Sequence, residues 1–425
     1  MVERSADVDP ALDPALDPLP PPIDVLLVCA GLGAGGTQRV VVNLATAWSE
    51  RGRWVVVATF FDRSPDFYHL PPTIPRRQMQ ASPIAPIARP ARDGLVRSAA
   101  TAIHRLPAPA QRALLGRRAA SALTVGLGRL ARVRWLRATI TELRPATVIS
   151  FGPSANISAL LAARGLPCRV VISERNDLDR QVVNFPVDTL RAHLYRTADA
   201  VTANSHGTLA ALRPWVPAER LRFAPNPLRV PDGARTGPPP AGLSLPCVLT
   251  VGRLVAQKDH AALLDAFARL PPELDQWRLA VVGTGVLEGS LRTRADELGL
   301  ARRVDWFGRT DDPYSFYRHA AVFALPSRYE GMPNALLEAM SFGVAPIVSD
   351  ASPGPLEVVR HGETGLVVPT GDAGALAAAI TRLATDPELR RTLGDAARRE
   401  VARFETDEAM AVWDDAADLR GATRR

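Results

Sequence analysis

The stretch Ile23-Asp-Val-Leu-Leu-Val-Cys29 and the loop after it, Gly31-Leu-Gly-Ala-Gly35-Gly36-Thr-Gln-Arg39, decide the fold. A nearly continuous apolar run predicts a strand buried on both faces, and the glycines after it predict a tight loop. Apolar side chains then recur on one face of a helix: Val40, Val41, Leu44 and Trp48. A strand, a glycine loop and a helix in this order predict the opening of a parallel α/β sheet.

The same alternation continues along the chain and restarts once. Apolar runs predicted to be strands before the break are Trp54–Phe61, Thr147–Phe151, Cys168–Ser173 and Ala200–Ala203. Residues 229–246 contain Pro-Asp-Gly and Gly-Pro-Pro-Pro, which predicts a linker. After it we predict strands Val248–Val251, Leu279–Val282, Val304–Phe307, Val322–Leu325 and Ala345–Val348, and helices His260–Leu270 and Pro333–Phe342. The fold class is therefore α/β, with two facing Rossmann-like, doubly wound parallel sheets in residues 23–228 and 247–403.

The composition limits the classes of protein to which this chain can belong. Residues 1–22 are acidic and proline-rich and are predicted to be a disordered tail. We find neither the apolar core of a signal peptide nor a run of about 18 apolar residues, so we predict no transmembrane helix. The three cysteines are far apart and lack a C-x-x-C spacing, which predicts buried thiols and no zinc site. A cytoplasmic location is expected.

The positive charge is concentrated in one insert. Between Arg76 and Arg137 there are 13 arginines against one acidic residue, Asp93. Apolar residues at helical spacing follow Ser121, with arginines between them, which predicts a basic amphipathic helix. Such a helix either lies at the inner face of an anionic membrane or packs on the domain with a solvated basic face. No aromatic interleaving or known motif supports nucleic acid as a partner.

Lys258 is the single lysine among 51 basic residues. It follows the strand Val248–Val251 together with Arg253, so both cations fall at the end of a predicted strand. A compact ammonium and a planar guanidinium on one diphosphate can neutralise a leaving group without a metal ion. The other interpretation is a solvated pair at a helix start, which the helix dipole disfavours.

Two carboxylates, Glu330 and Glu338, lie eight residues apart in Ser327-Arg-Tyr-Glu330-Gly-Met-Pro-Asn-Ala-Leu-Leu-Glu338. We expect Glu330 on a strand-end loop and Glu338 on the following helix, both facing the cleft. A carboxylate accepts hydrogen bonds from paired hydroxyls, which suits a ribose for one and a hexose for the other. The alternative is a capped surface helix with a solvated glutamate.

The first glycine loop also fits G-x-G-x-x-G, so a nicotinamide-dependent oxidoreductase is an alternative, with Asp62 as the ribose acid. That alternative leaves the two cations and both glutamates without a role. Asp177-Leu-Asp179 fits the D-x-D of metal-dependent transferases, but it lies in the first half of the chain. We expect no bound metal and no cofactor.

Three stretches resemble family-4 glycosyltransferases, which are retaining enzymes of the GT-B fold: Val251-Gly-Arg-Leu-Val-Ala-Gln-Lys258, Glu330 to Glu338, and Gly343-Val-Ala-Pro-Ile-Val-Ser-Asp350. The Gly33–Arg39 loop and Ser173-Glu-Arg-Asn-Asp177 resemble members that build polysaccharides or lipid-linked oligosaccharides.

The resemblance covers roughly Ile23 to Thr406 and implies a role for each matching residue. Residues implied to hold the donor diphosphate are Arg253, Lys258, Gly35 and Gly36. Glu338 would bind the ribose. Residues implied to position the transferred sugar are Glu330, Gly331, Met332, Pro333 and Asn334. Gly283 and Arg309 would border the nucleobase.

Glu174 lies where many relatives have a histidine near the reacting sugar, so it is a candidate catalytic residue whose contact the missing histidine puts in question. Residues 404–425 resemble the helix that crosses back onto the N-terminal domain, followed by a tail.

We therefore predict a glycosyltransferase that moves a hexose or N-acetylhexosamine from a nucleotide diphosphate sugar, uridine being favoured, to a glycan or lipid-linked acceptor. The rivals are the oxidoreductase and a non-catalytic protein that binds sugar nucleotides.

Overall fold

The computed structural model describes residues 22–33, 35–60, 67–79, 128–180 and 187–419. They form two parallel sheets of seven and six strands, each covered by helices. This arrangement confirms the predicted α/β class with two doubly wound sheets. Asp62 and most of the arginine-rich insert lie outside the described residues.

The N-terminal half contains seven strands in the order β3-β2-β1-β4-β5-β6-β7, all parallel. The strands are β1 (Val25–Cys29), β2 (Val55–Thr59), β3 (Arg76–Gln78), β4 (Thr147–Phe151), β5 (Arg169–Glu174), β6 (Ala200–Ala203) and β7 (Leu221–Phe223). The helices are α1 (Gly36–Glu50), α2 (residues 128–143), α3 (Pro153–Ala162), α4 (Val187–Leu194) and α5 (His206–Leu212).

The C-terminal half contains six parallel strands in the order β10-β9-β8-β11-β12-β13. The strands are β8 (Cys247–Val251), β9 (Arg278–Val282), β10 (Val304–Gly308), β11 (Val322–Leu325), β12 (Ala345–Ser349) and β13 (Leu366–Val368). The helices are α6 (His260–Phe267), α7 (Glu288–Glu297), α8 (Tyr314–His319), α9 (Asn334–Ser341), α10 (Pro353–Leu356), α11 (Ala373–Thr385), α12 (Pro387–Val401) and α13 (Thr406–Ala416).

The strand order reverses once in each sheet, between β1 and β4 and between β8 and β11. At such a point the loops after two neighbouring strands turn to opposite faces and leave a crevice. The glycine loop follows β1, Lys258 follows β8 and Glu330 follows β11. The fold therefore places all three motifs at crevices.

Buried strands explain the continuous apolar runs, because every residue of β1, β2, β4 and β12 is buried. Helix α1 buries the predicted face: Val40, Val41, Leu44 and Trp48. Helix α13 belongs to the second half of the sequence but packs on the N-terminal core, where Met410 and Trp413 are fully buried. The indole of Trp413 donates to the carbonyl of Pro225 at 2.9 Å.

The described part of the basic insert packs on the N-terminal domain. Leu136, Ile140 and Leu143 of α2 are buried in its core, and Arg137 donates to the carbonyl of Ala162 at 2.8 Å. Protein thus covers the C-terminal part of the apolar face of α2, whereas Leu130 near its start is 53% exposed. Among the described residues, no helix is long and apolar enough to span a membrane.

The segment 229–246, predicted to be a linker, has no helix or strand and contacts the C-terminal half: the guanidinium of Arg318 donates to the carbonyl of Ala234 at 2.6 Å. The cysteines differ in part from the sequence prediction. Cys168 is half-buried, whereas Cys29 and Cys247 are buried as predicted. Burial raises the pKa of Cys247 to about 12, which keeps this thiol protonated.

Candidate active site

Lys258 and Glu330 form an ion pair, with Nζ and Oε1 2.5 Å apart. The pair arises because β8 and β11 are neighbours, so the turns that follow them meet. Glu330 is 8% exposed, and its Oε1 also accepts the hydroxyl of Ser327 at 2.8 Å. Its Oε2 has no protein donor among the described residues. One carboxylate oxygen is thus held in place and the other remains available to a ligand.

The two turns are also fastened to each other by their backbones. The amide of Arg328 donates to the carbonyl of Gln257 at 2.8 Å, and the amide side chain of Gln257 donates to the carbonyl of Tyr329 at 2.9 Å. Asp259, which has a left-handed backbone (φ 48°), forms an ion pair with Arg328 at 3.0 Å. The Lys258–Glu330 pair therefore rests on a support that holds its geometry.

Arg253 lies in the same turn and is exposed, and its side chain has no hydrogen bond or ion pair with the described residues. Its guanidinium is therefore not held by any residue that the structure describes. Gly283 shapes this edge of the sheet, since a Cβ there would lie 1.9 Å from the carbonyl oxygen of Gly252. Arg309, at the end of β10, stacks over the ring of Phe67 from the N-terminal half, 5.2 Å from its centroid.

The loop before α9 contacts the N-terminal half. Gly331, Met332 and Pro333 are buried, and the carbonyl of Met332 accepts the side-chain amide of Asn226 at 2.8 Å. A Cβ on Gly331 would lie 2.5 Å from the carbonyl oxygen of Arg175. These three residues were predicted to touch a sugar, but here they form the contact between the halves.

Asn334 bridges the same contact. Its amide donates to the carbonyl of Gly36 at 2.9 Å, and its Oδ1 accepts the side chain of Asn226. Gly36 is exposed and a Cβ there would only meet Asn334 at 3.7 Å, so nothing but Asn334 crowds it. The structure thus brings Gly36, and with it Gly35, to the start of α9.

Glu338 lies on α9, is 8% exposed and contacts both halves. Its Oε2 accepts the hydroxyl of Tyr317 at 3.1 Å, and its Oε1 lies 3.4 Å from the guanidinium of Arg39 on α1. Burial raises the pKa of Glu338, and Arg39 and Tyr317 oppose that shift. The cavity beside Glu338 has a volume of about 10 Å³, room for about one water molecule.

Glu174 is not presented to the cleft. Its carboxylate is 1% exposed at the end of β5 and accepts bonds from Tyr195 and Asn156. Arg191, also 1% exposed, lies 3.2 Å away. Burial raises the pKa of Glu174, and Arg191 opposes the shift. The structure does not bring this predicted catalytic residue to Lys258 and Glu330, because three partners hold it inside the N-terminal domain.

A cavity of about 680 Å³ lies between the halves and includes Glu330 in its wall. Its other walls follow the carboxyl ends of β5, β6 and β12, where ligands of such sheets bind. The charged residues that line it are Asp177, Asp179, Arg180, Glu330, Asp350 and Glu357. Hydroxyls of Ser205, Thr208 and Ser352 complete the lining, which is therefore rich in hydrogen-bond acceptors.

Asp177 connects the two halves through this cavity. Its carboxylate accepts the hydroxyl of Ser352 at 2.6 Å and the backbone amides of Asp179 and Arg180. These donors fill much of its capacity to bind a ligand. Among the described residues, no three His, Cys, Asp or Glu side chains are grouped so as to hold a metal ion.

Sequence reasoning assigned no role to Arg39 or Asn226, although Arg39 ends the glycine loop. Arg39 could have been identified as a functional residue because it lies in the first turn of a helix that follows a crevice loop. Asn226 offers no comparable signal, since its contact depends on how the two halves meet.

Two family models match the chain. "Glycosyl transferase 4-like domain" matches residues 35–227, and "Glycosyl transferases group 1" matches residues 241–400. The first range begins within the glycine loop, at Gly35, and the second includes both cations and both glutamates of the cleft.

Curated relatives agree with these models. The chain is 36% identical over 201 residues to an exopolysaccharide phosphotransferase of Streptomyces coelicolor, covering 47% of this chain and 21% of that protein. It is 27% identical over 282 residues to an α-1,4-N-acetyl-D-galactosaminyltransferase of Campylobacter jejuni that acts on a diphosphoundecaprenol-linked glycan. This match covers 65% of this chain and 76% of that protein. The chain thus spans about a fifth of the first relative's length.

Among solved structures, Anabaena HepE in complex with UDP and glucose superposes with a TM-score of 0.70 at 18% identity, covering 93% of this chain and 99% of that one. This likeness concerns the fold. With two parallel sheets, crevice motifs at their carboxyl edges and a family match in each half, the chain belongs to the family-4-like glycosyltransferases of the GT-B fold.

Proposed function

We propose that this protein is a retaining glycosyltransferase that moves a hexose or N-acetylhexosamine from a UDP-sugar to a glycan or lipid-linked acceptor. The observation that carries the proposal is the cavity between the halves, with Glu330 in its wall and Lys258 paired to that carboxylate. Arg253 lies in the same turn as Lys258. Its volume of about 680 Å³ falls within the range of ligand sites, about 300–1,000 Å³.

Lys258 and Glu330 have different roles at the donor, and Arg253 assists Lys258. Lys258 and Arg253 place two positive charges where a diphosphate leaves, and we propose that they replace a metal ion in this role. Glu330, held by Lys258, offers Oε2 to the hydroxyls of the transferred sugar. Glu330 thus orients the sugar, and its partner Lys258 receives the departing diphosphate.

The reaction breaks the bond between the anomeric carbon and the diphosphate oxygen and forms a bond from that carbon to an acceptor oxygen. The acceptor proton passes to the departing diphosphate oxygen, so the products are UDP and the glycoside. In retention, departure and attack take place on the same face of the sugar. Closure of the two halves over the site would exclude water, which otherwise competes for the anomeric carbon.

The lining of the cavity supports an acceptor with free hydroxyls. It carries five carboxylates and one guanidinium, so hydroxyl donors find partners there and an acceptor phosphate would be repelled, whereas we assign the donor diphosphate to Lys258 and Arg253, which lie outside this lining. For a lipid-linked acceptor we therefore propose that the sugar end enters the cavity and the phosphate stays outside. The Campylobacter relative acts on a glycan joined to undecaprenol by a diphosphate.

The first experiment is a thermal-shift screen of UDP, GDP and ADP sugars with NAD and NADP in parallel. A ligand at a hundred times its Kd stabilises the folded state by about 2.7 kcal/mol. Stabilisation by NAD or NADP without UDP would restore the oxidoreductase interpretation, which the family match of the glycine loop otherwise opposes.

The second experiment identifies the product. Purified enzyme, donor and a panel of glycan acceptors are incubated with and without EDTA, and the new linkage is examined by proton NMR. We expect the anomeric configuration of the donor and no effect of EDTA. An inverted linkage would contradict retention, and donor binding without transfer or hydrolysis would favour a non-catalytic sugar-nucleotide binder.

A further inference from the structure

Arg39 reaches from the first turn of α1 in the N-terminal half to Glu338 on α9 in the C-terminal half. Its guanidinium lies 3.4 Å from Oε1 of Glu338. It also stacks over the rings of Tyr68 and Tyr314, 5.4 and 5.2 Å from their centroids. This contact between the halves places an arginine on the carboxylate to which the family resemblance gives the donor ribose.

We propose that Arg39 is a positioning residue of the donor site: it holds Glu338 as an aligned carboxylate anion, so that the ribose hydroxyls of a nucleoside diphosphate are recognised only when the two halves are together. The inference rests on the proposed function and adds a residue of the N-terminal half to the nucleotide site. The ligand class is a ribonucleoside diphosphate with both ribose hydroxyls free.

The hydrogen-bonding capacity of the carboxylate allows this arrangement. Two carboxylate oxygens offer about four lone-pair positions. Tyr317 uses one on Oε2 and Arg39 faces Oε1, so about two remain for the 2′- and 3′-hydroxyls. Arg39 therefore need not leave when the ribose binds. The small adjacent cavity must enlarge to admit the ribose.

Charge explains why the arginine is needed. Among the described residues, the titratable groups that interact with Glu338 besides Arg39 are neutral phenols: Tyr68, Tyr314 and Tyr317. Arg229 lines the small cavity, but both its terminal nitrogens are paired with Glu50 at 2.6 Å. Without Arg39 the buried carboxylate would have no cation beside it, and such a group takes up a proton.

A protonated Glu338 would accept one hydroxyl fewer. Removing Arg39 should therefore weaken nucleotide binding most at low pH, where the carboxyl is neutral, and least at high pH, where it ionises. Burial already raises the pKa of Glu338, and Arg39 is the largest influence that lowers it. The loss of affinity on acidification should thus begin at a higher pH in an Arg39→Ala variant than in the wild type.

The test is isothermal titration of UDP into the full-length protein between pH 5.5 and 9. Wild type is measured alongside each variant because the UDP phosphate itself titrates in this range. The variants are Arg39→Ala, Arg39→Lys, Glu338→Gln and the Arg39→Ala/Glu338→Gln double variant. Arg51→Ala is the matched control, since Arg51 lies at the other end of the same helix and pairs at the surface with Asp407 at 2.6 Å.

We expect Arg39→Ala to bind UDP about tenfold or more weakly than wild type at pH 6, the effect of losing a charged partner, and to approach wild type at pH 9. Arg39→Lys should restore part of the affinity at pH 6. Adding Arg39→Ala to Glu338→Gln should change the pH profile no further, because Gln cannot ionise. The Arg51 control should match wild type.

A uniform loss at every pH, or a pH profile of Arg39→Ala parallel to that of wild type, would overturn the role of Arg39 while leaving the proposed function intact. Failure of the wild type to bind UDP, GDP or ADP at any pH would overturn the proposed function and this role together. If Arg39→Ala does not fold, Arg39→Lys and Arg39→Gln carry the same comparison.

Discussion

Replacing Lys258 by alanine tests whether the Lys258–Glu330 pair serves the donor. Two consequences follow from the geometry. The diphosphate loses a charge-assisted contact, and the carboxylate of Glu330, 8% exposed, loses the cation 2.5 Å from its Oε1 and faces the diphosphate uncompensated. We expect the two effects to weaken UDP binding by about 1–3 kcal/mol, which is about 5- to 150-fold in Kd.

The assay is isothermal titration of UDP at fixed ionic strength, with thermal unfolding of each variant to verify the fold. Arg253→Ala is the matched comparison: it removes a cation from the same turn whose side chain has no partner among the described residues, and so frees none of their carboxylates. Adding Glu330→Gln to Lys258→Ala should recover part of the lost affinity, because the uncompensated charge is removed.

Lys258→Arg should recover only part of the affinity as well. The lysine stem lies against Gly252, where a Cβ would meet Cε at 3.4 Å, and a guanidinium is wider than an ammonium. A folded Lys258→Ala protein that binds UDP within about twofold of wild type would refute the reasoning.

Three further predictions concern other residues. Glu330→Ala should lower kcat about tenfold or more and change the donor Kd less, as steady-state kinetics and titration will show. Gly283→Ala should destabilise the fold by more than about 2 kcal/mol in urea unfolding, because its Cβ would lie 1.9 Å from the carbonyl oxygen of Gly252, whereas Gly289→Ala, with open space around it, should not. Burial lowers the pKa of His260 to about 4, so its neutral form stabilises the fold above about pH 6.5 and this contribution is lost as the pH falls toward 4. A His260→Asn variant should therefore show a flatter dependence of melting temperature on pH over that window, and an unchanged slope would contradict this.

Most strands of both sheets were predictable because buried parallel strands leave uninterrupted apolar runs. Thr147–Phe151, Ala200–Ala203 and Val322–Leu325 have the predicted bounds. The short strands β3, β7 and β13 were missed, since three residues at or near a sheet edge carry no apolar run long enough to stand out.

The site was predictable where it depends on one half of the chain. Lys258 and Glu330 meet because the turns after neighbouring strands of one sheet meet. The pairing of Glu338 with Arg39 depends on how two separately folded sheets approach each other, which periodicity does not encode. The enclosure of Glu174 was missed for a related reason: its partner Arg191 is 17 residues away on a helix whose direction the sequence leaves open.

The two covalent connections between the halves run side by side. The amide of Leu228 donates to the carbonyl of Phe404 at 2.8 Å, and Leu228 pairs with Glu405 as an isolated parallel bridge. Because the two connections are held together there, we expect them to act as one hinge about which the halves rotate. The residues of the cleft that are farthest from Leu228 should consequently move the greatest distance when the halves open and close. Helix α13 should move with the N-terminal half as part of one rigid body.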